Sequence, residues 1–228
     1  MNKEDIIIFG TGKVAEIVYS CIIHDENSKW NPIVFTVDRE YMRETVKFGI
    51  PIVPFDDIEN IYHPDKYKML IAVGYYKMNC IRDTKCNEAK DKGYELVSYI
   101  HSKVDIAQDI TIGVNTIILS DVSIGAYSNI GDNVFVYCNA TISHHVNIKS
   151  NVWMASGSVI GGNTTIGNNC FLGINSTIAH NISVGINNFI GANSIITKST
   201  EDNSVYIVPD TPKYRLETDM FMRLSGFD

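Results

Sequence analysis

From residue 106 to residue 196, every sixth position is Ile, Val, Leu or Met: Ile106, Ile112, Ile118 and onward through Val184 to Ile190 and Ile196, sixteen in all. Gly follows this aliphatic at 113, 125, 131, 161, 167, 173, 185 and 191. A period of six fits neither a 3.6-residue helix nor a simply alternating strand. It predicts a parallel β-solenoid of short strands and tight turns, with the large aliphatic pointing inward and Gly easing the turn.

The first hundred residues follow a different pattern. Apolar runs at Ile6–Phe9, Pro32–Val37, Ile50–Val53, Met69–Val73 and Glu95–Ile100 read as strands of one sheet. Val14, Ile17, Val18, Cys21 and Ile22 share a helical face, and a second helix is expected over roughly 79–92. Alternating strands and helices predict a doubly wound α/β domain. The expected organisation is α/β over 1–101, solenoid over 102–198 and a C-terminal tail over 199–228.

Composition narrows the class. The chain has 228 residues, 19 Lys plus Arg against 26 Asp plus Glu and a net charge of −7, a poor balance for nucleic-acid binding. The aliphatic runs are too short to cross a bilayer, and the acidic start carries no signal-peptide pattern, so a cytoplasmic protein without membrane insertion is expected. Five scattered cysteines without a CxxC pair read as reduced packing residues, and no metal site is expected. Between Val104 and Thr197 the only Lys or Arg is Lys149, whereas Tyr127, Phe135, Tyr137, Trp153, Phe171 and Phe189 fall outside the inward register. An uncharged, aromatic outer face predicts a subunit interface, the alternative being aromatics tucked under loops.

Gly10-Thr11-Gly12-Lys13-Val14-Ala15 after the first strand, with Asp38 closing the second, has the arrangement of a nucleotide-binding fingerprint. The competing explanation is that the glycines only permit close strand–helix packing. Half of a dinucleotide fold precedes the solenoid, which suits a single nucleotide or sugar nucleotide better than NAD.

Taken together, Gly10-Thr11-Gly12-Lys13, Ile71-Ala72-Val73-Gly74, the hexads, Ile142-Ser143-His144-His145 and Asn169–Ser176 resemble a bacterial sugar acyltransferase family that joins a Rossmann-like domain to a left-handed β-helix of hexapeptide repeats. Its members include nucleotide-amino-sugar N-acetyltransferases and the sialic acid O-acetyltransferase group. The resemblance implies three hexads per triangular coil, about five coils and a homotrimer. It implies acetyl-CoA as co-substrate, a nucleotide-linked amino sugar as acceptor and a role in bacterial surface glycan synthesis, such as lipopolysaccharide.

By the same resemblance His144 is the general base, and His145 stands where the family usually has an acid that orients it. Acetyl-CoA would contact Trp153, Gly162, Ile174 and Ala192, with Lys198 and Lys213 beyond the last coil as the nearest cations for its phosphates. The nucleotide sugar would meet Gly12, Lys13, Val14, Asp38, Gly74 and Tyr75, and Arg82 is either a diphosphate partner or a surface helix residue. O-acetylation of a sugar hydroxyl and a non-catalytic sugar-nucleotide-binding trimer are the alternative functions.

Overall fold

The computed structural model describes residues 3–226; Met1 and Asn2, at the start of the N-terminus read above, lie outside them. Strands β1 (Glu4–Phe9), β2 (Trp30–Val37), β3 (Val46–Lys47), β4 (Ile50–Pro54) and β5 (Lys68–Ile71) form a sheet in the order β3-β4-β2-β1-β5. It is parallel except for the β3–β4 pair. Helix α1 (Lys13–His24) covers one face, and α3 (Cys80–Asp91) with the single-turn α2 (Ile58–Ile61) covers the other. The N-terminal region is therefore an α/β domain, with its central strands buried on both sides.

Residues 95–100 depart from expectation. They make only one bridge to the sheet, Leu96 beside Met69, and then leave it: Tyr99–Ile100 pairs with Ile117–Ile118 as the first strand of the stack. Glu95–Ile100 thus joins the two regions instead of closing the sheet.

The C-terminal region is a stack of two-residue parallel strands. Each strand lies beside the one eighteen residues on, as Ile124 beside Ile142 and Ile142 beside Ile160. Three hexads thus close one coil, and the strands fall into three sheets, the faces of a triangular prism. The hexad aliphatics from Ile118 to Ile196 are all buried in one continuous core. Ile106, on the first coil, has no full layer beneath it and is 41% exposed.

The stack runs past residue 198. Val205–Tyr206 pairs with Phe189–Ile190 after a step of sixteen residues, and Tyr206 packs against the core. Helix α4 (Thr218–Ser225) follows, with none of its residues buried.

The residues at the coil corners explain the abundance of Asn. The third residue after each inward aliphatic from Ile106 to Ile190 has positive φ, and from Asp109 to Asn193 it is Asn, Asp or Gly except at Tyr127 and His145. Asn and Asp tolerate this left-handed conformation better than other side chains. Asn also links successive coils: Asn115 Nδ2 donates to Asn133 Oδ1 at 2.9 Å, and Asn133 Nδ2 to Asn151 Oδ1 at 2.8 Å.

One prism face is covered by the α/β domain. Its outward side chains are Ile117, Phe135, Trp153, Phe171 and Phe189, of which Ile117, Phe135 and Trp153 are buried with α1 in the core of the domain junction. The expected subunit interface at Phe135, Tyr137, Trp153 and Phe171 is thereby corrected: the chain covers these aromatics itself.

Arg82 locks the same junction. It is 1% exposed, donates to the carbonyls of Asn133 and Val152, and lies 5.2 Å from the Trp153 ring. Desolvation lowers its pKa to about 10, which leaves it charged at neutral pH. Asp25 supplies a second tie, accepting from Ser102 Oγ at 2.6 Å and Ser102 N at 3.0 Å. Burial alone would raise this carboxyl, but the hydrogen bonds from Ser102 and Asn27 outweigh it and hold the pKa below its ordinary value.

Candidate active site

Two clusters contain most of the candidate residues, one on the solenoid and one on the α/β domain. The first lies on the corner between Thr141–Ile142 and Asn147–Ile148. The backbone holds it from both sides: His145 N donates to the Ala126 carbonyl of the coil before, and Asn163 N donates to the His144 carbonyl from the coil after. Both imidazoles are exposed, with His144 Nδ1 3.1 Å from His145 Nδ1. The His145 ring lies 4.9 Å from that of Tyr127, one coil back.

His144 rests over Gly162, one coil on. A Cβ added at Gly162 would stand 2.7 Å from both Nε2 and Cε1 of His144, so any other residue there would displace the ring from this position. An exposed imidazole with one nitrogen engaged and the other open is arranged for proton transfer.

Ile174 and Ala192 lie on another corner, between the covered face and the Thr177–Ile178 face, and both are exposed. The His144–Gly162 edge separates the two uncovered faces and is therefore opposite the α/β domain. The structure does not bring Trp153 to either edge. It is 3% exposed, stacked 4.3 Å from Phe135 under the α/β domain, and closed to a cofactor there. Lys198 and Lys213 are exposed and make no ion pair among the described residues.

The second cluster sits at the C-terminal ends of β1 and β5, where the strand order reverses direction, the place where open α/β sheets form a ligand crevice. Gly10 has a packing reason: its φ is +116°, and a Cβ would meet the Ala72 carbonyl oxygen at 2.7 Å. Gly12 faces open space, so close packing does not account for it. A Cβ on Gly74 would stand 3.4 Å from the Tyr76 ring and 3.7 Å from Val14 Cγ2, and Tyr75 lies 4.7 Å from Phe171 and 5.2 Å from Trp153. The neighbouring Lys77, Met78 and Asn79 all have positive φ.

Asp38, at the end of β2, accepts from Lys85 Nζ at 2.8 Å. Burial alone would depress that ammonium, but hydrogen bonds to Asp38 and Glu88 outweigh it and raise its pKa. Gly12, Lys13 and Val14 thus follow β1, Gly74 and Tyr75 follow β5 beside it and Asp38 follows β2, whereas Arg82 is buried in the junction and unavailable to a diphosphate.

The thiols offer no ready nucleophile among the buried cysteines. Burial pushes Cys170 up to about 11 and Cys86 up to about 12, so both are neutral thiols at pH 7. No group of three or more metal-ligating side chains occurs among the described residues. Sequence reasoning missed the significance of Tyr127 and the signal was present: with His145 it is the exception in the Asn, Asp and Gly column.

Residues 163–198 match the family model described as bacterial transferase hexapeptide (six repeats). Over about nine tenths of its length the chain shares its fold with solved bacterial acetyltransferases. The acetyltransferase domain of PglB from Neisseria gonorrhoeae, solved with acetyl coenzyme A, superposes with a TM-score of 0.78 at 20% identity, covering 90% of this chain and 96% of that one. PerB from Caulobacter crescentus, solved with CoA and GDP-perosamine, gives 0.78 at 20% identity, covering 88% and 92%. WeeI from Acinetobacter baumannii gives 0.51 at 16%, covering 88% and 95%. No curated protein sequence matches the chain.

Proposed function

We propose that the protein transfers the acetyl group of acetyl-CoA to the amino group of a nucleotide-linked amino sugar, in the synthesis of a bacterial surface glycan. The observation that carries this reading is His144: an open imidazole Nε2 over a side-chain-free Gly162, with Nδ1 engaged by His145. Its support is the shared fold with proteins solved holding acetyl-CoA, or CoA with GDP-perosamine.

The chemistry is economical. The acceptor nitrogen attacks the thioester carbonyl, the N–C bond forms and the C–S bond breaks. His144 Nε2 takes the amine proton and returns it to the departing sulfur. Acetyl-CoA supplies the activated acyl group, and Gly162, Ile174 and Ala192 are its proposed contacts, with Lys198 and Lys213 for its phosphates. The nucleotide of the acceptor is proposed to occupy the β1/β5 crevice of a Rossmann-like domain, against Gly12, Lys13, Val14, Asp38, Gly74 and Tyr75.

A homotrimer of left-handed prisms completes this reading. The His144 edge lies opposite the face that bears the α/β domain, while Ile174 and Ala192 line a different edge. Assembly of copies lets one chain's His144 meet another's Ile174–Ala192 edge and crevice. The reading also makes the protein cytoplasmic, where acetyl-CoA and nucleotide sugars are made; no helix among the described residues is long and apolar enough to cross a membrane.

Thermal unfolding in the presence of ligands tests the reading. At 100 times its dissociation constant a ligand stabilises the folded state by about 2.7 kcal/mol. Acetyl-CoA and at least one UDP-, dTDP- or GDP-linked amino sugar are expected to raise the Tm, and NAD(H) is not. A Tm unmoved by acetyl-CoA at millimolar concentration would overturn the acyltransferase reading.

A further inference from the structure

We infer that His145 is a positioning residue: as a neutral imidazole it accepts the Nδ1–H of His144, holds that ring in the tautomer whose Nε2 is free, and disables the pair when it is itself protonated. This rests on the acetyltransferase reading above and adds the device by which the base is set. The two Nδ1 atoms are 3.1 Å apart, so a single proton lies between them when both rings are neutral. With that proton on His145, neutral His144 carries its hydrogen on Nε2 and offers no lone pair to the acceptor. With it on His144, the Nε2 lone pair is free, on the edge of the ring that lies against Gly162. Only the second arrangement yields a base, and it requires His145 as the Nε2–H tautomer.

The corner keeps the pair together. His145 has φ 55°, a conformation that the other coils assign mainly to Asn, and its amide is tied to the Ala126 carbonyl. Tyr127 packs on its ring from the preceding coil, while Gly162 and Asn163 follow on the next. The other titratable groups along this edge are Asp109 and His180, each two coils away, roughly 10 Å at the usual strand spacing, and Lys198, one coil beyond His180. Among the described residues no carboxylate forms an ion pair with either ring.

When the acceptor nitrogen attacks, its proton moves to His144 Nε2, and His144 becomes an imidazolium still donating from Nδ1 to His145. The proton then leaves to the CoA sulfur and the dyad returns to its starting state. In acid, a proton on His145 Nδ1 points at His144 and removes the acceptor. Two coupled protonations therefore switch the site off, and they belong to the pair.

The test compares wild type with His145→Asn and His145→Glu. Asn suits the left-handed corner and can accept through its amide oxygen without titrating; Glu supplies a charged acceptor that raises the pKa of the base. On one acceptor sugar, whose own titration is common to all three proteins, the acid limb of log(kcat/KM) is expected to be steeper in wild type by up to one unit of slope. His145→Glu should return the lower slope with its midpoint moved to higher pH. Superimposable acid limbs in all three would overturn the proposal. A second readout does not depend on turnover: long-range 1H–15N spectra of histidine-labelled protein at pH 7.5 should show His144 protonated on Nδ1 and His145 on Nε2. The opposite pair of tautomers would overturn the proposal even in an active enzyme, whereas these tautomers in a protein without transferase activity would locate the failure in the functional reading.

Discussion

His144→Ala is expected to lower turnover about 10²–10⁴-fold while leaving acetyl-CoA affinity within about twofold. The thioester is already electrophilic, so the barrier lies largely in removing the amine proton as the N–C bond forms and in stabilising the oxyanion. A base within reach of that proton supplies about 3–5 kcal/mol of the transition-state stabilisation. His144 is exposed and makes one side-chain hydrogen bond, to His145, so Ala removes the base without opening the core. Steady-state kinetics with calorimetric titration of acetyl-CoA separate the two effects. An unchanged kcat would remove His144 from catalysis, and a parallel loss of CoA affinity would make it a binding residue.

Trp153→Ala is expected to destabilise the protein by about 3–5 kcal/mol, the usual cost of truncating a large buried aromatic. The indole fills the junction between Phe135, Tyr75 and the Arg82 guanidinium. Its loss leaves a cavity and strips the buried guanidinium of an aromatic face, in a place where no carboxylate among the described residues forms an ion pair with it. Equilibrium denaturation should show the loss, with the α/β domain separating from the solenoid as the first change. Acetyl-CoA affinity of the folded variant should be unaltered, because the ring is closed to a ligand by the chain's own α/β domain. A tenfold loss of CoA affinity at unchanged stability would return Trp153 to the cofactor site.

These two residues mark what local sequence could convey. The hexad register was readable because a solenoid repeats its environment every coil: each inward aliphatic meets its counterpart eighteen residues away, and a period survives in the chain. The stretch Val205–Tyr206 escaped because the last step shortens to sixteen residues, so counting by six from Ile196 lands on Asp202. The ends of β1 and β5 were legible for a simpler reason, since glycines follow both strands in the chain.

Long-range docking leaves no such signature. Outward aromatics mark a face to be covered, but nothing in their spacing says whether another chain or the α/β domain covers it. Arg82 shows the same limit: on a helix of mostly polar residues it reads as exposed, and only the docked solenoid, with the carbonyls of Asn133 and Val152, buries it. The distinction at Tyr127 and His145 was nevertheless written in the chain. Fifteen corner positions from 109 to 193 carry Asn, Asp or Gly with these two exceptions, and a residue kept against its backbone preference marks a place where the side chain has another task.

The most direct measurement is release of free CoA thiol from acetyl-CoA in the presence of pooled nucleotide-linked amino sugars, followed by mass spectrometry of the sugars. The account predicts thiol release that depends on one sugar and a product heavier by one acetyl group, borne on nitrogen. Acetyl-CoA that binds but yields no N-acetyl product across the pool would contradict it, and an acetyl group found on a sugar hydroxyl would assign the same His144 to O-acetylation.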